Sequence, residues 1–158
     1  MTRHRTPIAL TIAGSDSSGG AGIQADLKTF SALGVYGASA ITALTAQNTL
    51  GVDDIMAVPP EFVLAQMQAV AGDLDVGAIK IGMLATAETV DAVATGLDLF
   101  DGVPVVLDPV RVATSGDLLL DEDAVGILRE RLVPRATLIT PNLAEGAALL
   151  GEPPESRE

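Results

Sequence analysis

Residues 8–27 read IALTIAGSDSSGGAGIQADL, and this stretch decides the fold. The apolar run at residues 8–13 predicts a buried strand, and the small polar residues 14–22 predict a loop, called here the glycine loop. Apolar residues then recur at helical spacing, at Ile23, Leu27, Phe30 and Leu33. The order strand, glycine loop, helix is typical of the ligand-binding turn of an α/β protein.

The glycine loop contains four glycines and three serines. Such a backbone can approach a ligand closely and leave amide groups free to donate, and the following helix points its positive end at the loop. We therefore expect a polar or anionic small molecule there. The alternative is a flexible surface turn, but the loop holds more small residues than a strand-to-helix turn requires.

Two standard nucleotide-binding patterns do not fit the glycine loop. Gly14 and Gly19 have the Walker A spacing, but Gly20 and Ala21 stand where Lys and Ser/Thr are required. A dinucleotide-binding pattern begins at Gly20, several residues after the strand, and no acidic residue follows about 20 residues later. A dinucleotide-dependent oxidoreductase is therefore the least favoured enzyme class.

Composition narrows the class of protein. The chain has 158 residues and is 48% hydrophobic, which suits one α/β domain with a parallel sheet. It has no cysteine, so a disulfide framework and a thiolate metal site are excluded. The net charge of −12 opposes nucleic-acid and anionic-membrane binding, and no apolar run reaches the length of a membrane span. We expect a cytoplasmic protein with one domain at residues 1–150 and a polar tail at 151–158.

Strands and helices alternate along the rest of the chain. The patterns predict strands at residues 36–46, 55–58, 77–82, 104–107 and 137–140, and helices at 60–71, 86–100, 121–132 and 142–150. The first of these helices should bury Phe62, Val63, Met67 and Val70, and the second should bury Val90, Val93, Ala94 and Leu97. This alternation predicts right-handed βαβ units and a mostly parallel sheet.

Polar or special residues follow the carboxyl end of each predicted strand. They are Gly14 to Asp16, Gln47 and Asn48, Gly82 and Met83, Asp108, and Asn142. Because ligands bind at the carboxyl ends of strands in open α/β sheets, we expect these residues to form one site.

Several of these residues have two interpretations. Asp108 can hold a cation or a metal-bound water, but Asp before Pro commonly starts a turn, and taken alone the turn is favoured. Asn142 and Glu145 have the spacing of a capping box, which we favour, and are also suited to lie beside Mg²⁺ and phosphates. Gln47 can pair with an aminopyrimidine edge or face solvent.

Three further residues carry weaker signals. Met83 can form an apolar wall or fill a core gap. Lys80 can contact a phosphate, although we favour an exposed strand face. His4 is the single histidine and lies near the terminus, which makes a Ser-His-Asp triad or a histidine metal cluster implausible.

Five ordered motifs carry a family resemblance. They are AGSDSSGGAGIQADLKTF at residues 13–30, ALTAQNT at 43–49, KIGML at 80–84, LDPV at 107–110 with Ser115 and Gly116, and TPNLAE at 140–145. Together they closely resemble the hydroxymethylpyrimidine/phosphomethylpyrimidine kinase family of the ribokinase-like superfamily. The resemblance implies a three-layer αβα fold, commonly a homodimer, and ATP-dependent phosphorylation of 4-amino-5-hydroxymethyl-2-methylpyrimidine and then of its monophosphate.

The resemblance also implies roles for individual residues. The pyrimidine pocket would be lined by Gly14, Ala21, Gln47, Met83 and Val110, with Gln47 on the amino edge of the ring. ATP phosphates and Mg²⁺ would be organised by Asp108, Asn142 and Glu145, with Asp108 and Glu145 as the metal ligands.

The chain departs from the family pattern in two ways. Arg111 stands where the family often has Met, and the Gly-Thr-Gly-Cys-type segment that forms the anion hole and supplies the catalytic group is absent. No catalytic residue is therefore assigned within this sequence. We expect the chain alone to be inactive or severely weakened, and its sheet to have an exposed apolar edge. A pyridoxal-type kinase and a non-catalytic pyrimidine-binding module are the alternatives.

Overall fold

A computed structural model describes residues 6–110 and 122–151 of the chain. Within these residues seven strands are present: β1 Ile8–Ala13, β2 Tyr36–Ile41, β3 Ala43–Gln47, β4 Val52–Ala57, β5 Ala78–Ile81, β6 Val105–Leu107 and β7 Leu138–Ile139. Five of them form a sheet in the order β2-β1-β5-β6-β7, and every neighbouring pair in it is parallel. The predicted parallel α/β sheet is confirmed.

Five α-helices lie on the two faces of this sheet. They are α1 Gly22–Ala32, α2 Pro60–Ala71, α3 Ala87–Gly96, α4 Glu122–Ile127 and α5 Leu143–Leu150, and α4 continues into a wider turn, Leu128–Leu132. Successive residues of a strand face opposite sides of the sheet. Leu10 and Ile12 of β1 belong to the buried core that includes residues of α2, α3 and α4, whereas Thr11 bonds to α1. The arrangement is therefore three-layered, as predicted.

The main core lies between the sheet and helices α2 to α4. Its fully buried members include Ile79 and Ile81 of β5, and Val63 and Met67 of α2. Burying one such side chain contributes about 1.5–3 kcal/mol, so this layer holds the sheet and fixes the position of its carboxyl edge.

The run at residues 36–46 is two strands, and the prediction of one continuous strand is wrong. Thr42 separates them, because its N–H donates to the Ala13 carbonyl at 3.0 Å and its hydroxyl donates to the Met83 carbonyl at 2.6 Å. After Thr42 the chain leaves the sheet. β3 and β4 then pair antiparallel as a separate two-stranded ribbon.

Helix α2 has the predicted bounds but not the full predicted face. Val63 and Met67 are completely buried, whereas Phe62 is 60% exposed, so its predicted burial is wrong. Phe62 lies one residue before Val63, on the side of the helix that turns away from the sheet. The predicted burial of Val90, Val93 and Ala94 in α3, and of Leu97 directly after it, is confirmed.

The last strand of the sheet is an apolar edge. Among the described residues, β7 pairs only with β6, and its side chains Leu138 and Ile139 are 55% and 38% exposed. The predicted exposed apolar edge is therefore present.

None of the helices in the described ranges combines the length and the hydropathy that crossing a membrane requires.

Candidate active site

The glycine loop is folded around the carboxylate of Asp16. Asp16 is 2% exposed, and its carboxylate accepts hydrogen bonds from Ser18 N at 2.9 Å, Ser18 Oγ at 2.8 Å, Gly20 N at 2.9 Å and Ala21 N at 2.8 Å. Burial by itself raises the pKa of Asp16, but these hydrogen bonds outweigh it and hold the pKa below its ordinary value. The expectation that the loop amides are free for an anionic ligand is therefore wrong for Ser18, Gly20 and Ala21.

Two glycines set how closely the loop packs against the strand ends. Gly22 has a φ of +56°, and a Cβ there would collide with the Gly14 carbonyl oxygen, which accepts from Ile23 N at 3.0 Å. A Cβ on Gly14 would lie 2.9 Å from Sδ of Met83. Helix α1 can therefore begin directly against the end of β1, and Met83 keeps its place beside the loop.

The ribbon of β3 and β4 carries Gln47 to the glycine loop. The hydroxyl of Ser17 donates to the Gln47 carbonyl at 2.5 Å and accepts from Gln47 N at 2.8 Å. The hydroxyl of Thr45 lies 2.8 Å from the Ser15 carbonyl and 3.2 Å from Oε1 of Gln47. These contacts fix the Gln47 backbone and orient its amide. Apart from the contact with Thr45, the Gln47 side-chain amide makes no hydrogen bond within the described part of the chain, so it keeps donor and acceptor capacity for a ligand.

One cavity of about 270 Å³ brings the predicted substrate residues together. Its lining includes all five of them, and Asp108 also lies on its wall: Gly14, Ala21, Gln47, Met83, Val110 and Asp108. Gln47 reaches this cavity from the ribbon and not from a strand of the main sheet. Placement at one cavity is an observation, and the binding roles of these residues remain predictions.

The floor of the cavity carries a charged cluster, formed by Thr11, Asp26 and Lys80 and called here the floor cluster. Oδ2 of Asp26 accepts from the Thr11 hydroxyl at 2.6 Å and from Nζ of Lys80 at 3.1 Å. The Lys80 and Asp26 side chains are 25% and 16% exposed. The favoured prediction of an exposed strand face for Lys80 is therefore wrong.

Sequence reasoning missed Asp26 altogether. A usable signal was present, since Thr11 and Lys80 are polar residues inside otherwise apolar strands, and parallel register pairs them on one face. Asp26 follows the buried Ile23 by three residues, on the side of α1 that faces the sheet. Polar groups on three inward-facing positions indicate a cluster.

Asp108 follows β6 at the cavity wall and is partly buried. Its N–H donates to the Ile81 carbonyl at 2.8 Å, which holds the residue at the end of the sheet. Burial raises the pKa of Asp108; the attraction of Lys80 opposes this, and the negative charges of Glu145 and Asp26 add to it. A hydrogen bond with the Thr140 side chain also lowers the pKa, and the net result is a raised pKa with burial as its main cause.

The capping box of Asn142 and Glu145 is present. Glu145 N donates to Oδ1 of Asn142 at 2.9 Å, and Asn142 N donates to Oε2 of Glu145 at 2.9 Å. Glu145 is 7% exposed. The capping interpretation is therefore confirmed, and it leaves Oε1 of Glu145 without a hydrogen-bond donor among the described residues.

Within residues 6–110 and 122–151, no three acidic or histidine side chains group closely enough to hold a metal ion by themselves. Arg111, Ser115, Gly116 and His4 fall outside the described residues.

Comparison of the fold with solved structures gives the class of protein. The structure of phosphomethylpyrimidine kinase from Clostridium difficile superposes with a TM-score of 0.86 and 46% identity, over 92% of this chain and 63% of that one. The ADP complex of Bacillus subtilis pyridoxal kinase superposes with a TM-score of 0.85 and 39% identity, over 97% of this chain and 58% of that one. The fold is thus the ribokinase-like fold shared by these small-molecule kinases.

Sequence comparison gives the family. A family model described as phosphomethylpyrimidine kinase matches residues 16–158, and the chain belongs to this family. A hydroxymethylpyrimidine/phosphomethylpyrimidine kinase of Rhizobium meliloti is 64% identical over 146 residues, which are 92% of this chain and 54% of the relative. The resemblance drawn from the motifs is confirmed, and the chain spans about half the length of such curated relatives.

Proposed function

We propose that this chain forms the substrate-binding part of an ATP-dependent kinase of thiamine biosynthesis. The substrates would be 4-amino-5-hydroxymethyl-2-methylpyrimidine and its monophosphate, which the names of the curated relatives indicate. The observation that carries the proposal is the single cavity that joins the glycine loop, Gln47 and Asp108.

The lining of the cavity suits a small aminopyrimidine. The side-chain amide of Gln47 can both donate and accept at the cavity, and the edge of an aminopyrimidine carries the matching acceptors and donors. Met83 and Val110 supply apolar contacts for a ring, and Gly14 and Ala21 leave room for it. A volume of about 270 Å³ suits a ligand smaller than a typical drug.

Asp108 on the cavity wall, together with the nearby charge of Glu145, suits a nucleotide-bound Mg²⁺. Mg²⁺ prefers oxygen ligands and keeps several waters, so one or two carboxylates suffice. Asp108 and Glu145 are electrostatically coupled carboxylates whose mutual repulsion a cation would relieve. We assign these two to the metal, and Asn142 to the ATP phosphates beside it. Bound Mg²⁺ would neutralise charge on the phosphates.

The described residues bind and orient more than they activate. Phosphoryl transfer depends on in-line positioning and on charge neutralisation. The glycine loop and Gln47 would serve the first, and Asp108 would serve the second by holding Mg²⁺. The anion-hole segment of the family is absent from the sequence, so we expect little or no turnover by this chain alone.

The proposal includes a cytoplasmic location and a homodimer. The ribbon supports the dimer, because Leu44 and Met56 are register partners on it and are 41% and 61% exposed. A second copy that covers this face would remove both side chains from water.

Calorimetry tests the proposal directly. The purified chain is expected to bind the hydroxymethylpyrimidine, and Gln47→Ala should weaken binding by about tenfold, the worth of a hydrogen bond in a desolvated site. Gln68→Ala, which truncates an exposed glutamine of α2 outside the cavity, is the matched control and should leave the affinity unchanged. No heat of binding for the unmodified chain, or equal losses in both variants, would contradict the proposal.

The same titration separates the alternatives. The structural match to the Bacillus subtilis enzyme supports a pyridoxal-type kinase as the first alternative. If the chain belongs to such a kinase, it should bind pyridoxal more tightly than the pyrimidine. A non-catalytic pyrimidine-binding module predicts binding of the pyrimidine with no binding of Mg-ATP. The higher identity to phosphomethylpyrimidine kinases favours the pyrimidine substrate.

A further inference from the structure

A cavity that accepts both an alcohol and its phosphate ester has an electrostatic problem. The alcohol is neutral, whereas a phosphate monoester carries nearly two negative charges at pH 7. The cavity wall already contains the carboxylates of Asp26 and Asp108. A phosphate that enters this space needs a positive charge or several free N–H donors.

The middle of the glycine loop, residues 18–21, does not supply those donors. Its amides at Ser18, Gly20 and Ala21 are bound to the Asp16 carboxylate, and the Gly19 amide donates to the Asp16 carbonyl at 2.9 Å. The protein's own carboxylate occupies the position that an anion would take in a phosphate-binding loop.

Lys80 supplies the positive charge. Of the described residues that line the cavity, it is the one with a cationic side chain. Its Nζ lies only 2.9 Å from where a Cβ of Gly82 would stand, so the side chain extends along the strand face past Gly82 towards the carboxyl edge. The missing side chain at Gly82 is what leaves this path open.

Asp26 holds Lys80 without using up its donors. An ammonium group has three N–H donors, and Lys80 makes one hydrogen bond, to Oδ2 of Asp26 at 3.1 Å, within the described part of the chain. Asp26 is itself fixed by the Thr11 hydroxyl at 2.6 Å. The remaining two N–H groups of Lys80 have no described protein acceptor, and the side chain reaches the cavity.

We propose that Lys80, positioned by Asp26, binds the phosphate of the monophosphate substrate and so determines that the cavity accepts this charged ligand. The assignment rests on the proposed function and names the residue that separates its two substrates. The neutral alcohol makes no comparable demand on Lys80, since Gln47 and the apolar wall bind its ring. Asp26 acts here as a positioning residue, and Lys80 touches the substrate.

The experiment is calorimetric titration of the chain with the hydroxymethylpyrimidine and, separately, with its monophosphate. Because Lys80→Met leaves Asp26 unpaired, the main variant is the double change Asp26→Asn with Lys80→Met, in which the amide still accepts from Thr11. We expect it to weaken monophosphate binding by about tenfold or more, the worth of one charge-assisted hydrogen bond, and to change alcohol binding by less than about threefold. Lys80→Arg should retain most of the monophosphate affinity.

Two controls distinguish a specific effect of Lys80 from a general change in charge and from unfolding. Arg129→Met removes one positive charge on an exposed residue outside the cavity and should change neither affinity. Far-UV circular dichroism checks that the double variant is folded. A parallel loss for both ligands, or no loss for the monophosphate, would overturn the assignment of Lys80 and leave the proposed function standing. Binding of neither ligand by the unmodified chain would overturn both.

Discussion

The glycine loop and the floor cluster face the same cavity but use their polar groups in opposite ways. In the loop, the buried carboxylate of Asp16 is saturated by hydrogen bonds from the loop itself. In the floor cluster, Asp26 and Lys80 satisfy each other only in part and leave groups directed to the cavity. A hydrogen-bond network with all its groups paired makes a segment rigid, whereas unpaired groups remain able to bind a ligand. We therefore expect the glycine loop to determine the stability of the fold, and the floor cluster to determine which ligand binds.

The largest expected effect on stability comes from adding a side chain within the glycine loop. Gly22 and Gly34 both have positive φ, at +56° and +73°, but a Cβ at Gly34 meets nothing within 4 Å, whereas at Gly22 it meets the loop backbone. Gly34→Ala should therefore cost about 1 kcal/mol of unfolding free energy, for conformation alone. Gly22→Ala should cost about 3 kcal/mol or more, because backbone must also move. Urea unfolding followed by circular dichroism measures both, and equal costs would show that the loop can relax.

The next largest effect on stability should come from removing the Asp16 carboxylate, which accepts the hydrogen bonds of the glycine loop. Asp16→Ala leaves the amides of Ser18, Gly20 and Ala21 without their partner, and should cost about 2–3 kcal/mol of unfolding free energy. Asp73→Ala, on an exposed aspartate after α2, is the control and should stay within about 0.5 kcal/mol. A cost for Asp16→Ala no larger than the control would mean that water replaces the carboxylate freely.

A smaller effect should appear with pH. The pKa of Asp16 is lower in the folded chain than its unfolded value of about 3.9, so its stabilisation is complete above that unfolded value and is lost as pH falls through the folded pKa. The difference in unfolding free energy between the unmodified chain and Asp16→Ala should therefore narrow below about pH 4. Asp108, whose pKa is raised, shifts both proteins alike and cancels from the difference. A difference that stays constant from pH 7 to pH 3 would contradict the hydrogen-bonded carboxylate.

The same contrast explains what the sequence could predict. Local patterns located β1, the glycine loop and α2, because periodicity and Pro60 act within one element. They missed the break at Thr42, since no Gly or Pro marks it and its causes, the carbonyls of Ala13 and Met83, lie 29 and 41 residues away in the chain.

Side-chain partnerships were harder to predict than element positions. The residues 14–22 have the composition of an anion-binding loop, and only their folded path shows that Asp16 turns back into it. The alternation of apolar and polar residues around Lys80 is typical of a strand with one solvent-facing side. In the folded chain, α1 covers that side and places Asp26 beside Lys80. Gln47 was predicted to follow a strand of the main sheet, but it ends β3 of the separate ribbon and lines the cavity from there.

The smallest expected effect comes from neutralising the floor cluster. Replacing both members of a partly buried ion pair by uncharged residues of similar size is often close to neutral, because the desolvation penalty disappears together with the attraction. Asp26→Asn with Lys80→Met should therefore change the unfolding free energy by less than about 1 kcal/mol, well below the cost of Asp16→Ala. Urea midpoints of the two variants, measured side by side at pH 7, make the comparison. If the double variant lost as much stability as Asp16→Ala, the floor would be a structural element like the loop, and the division between a rigid wall and a binding floor would fail.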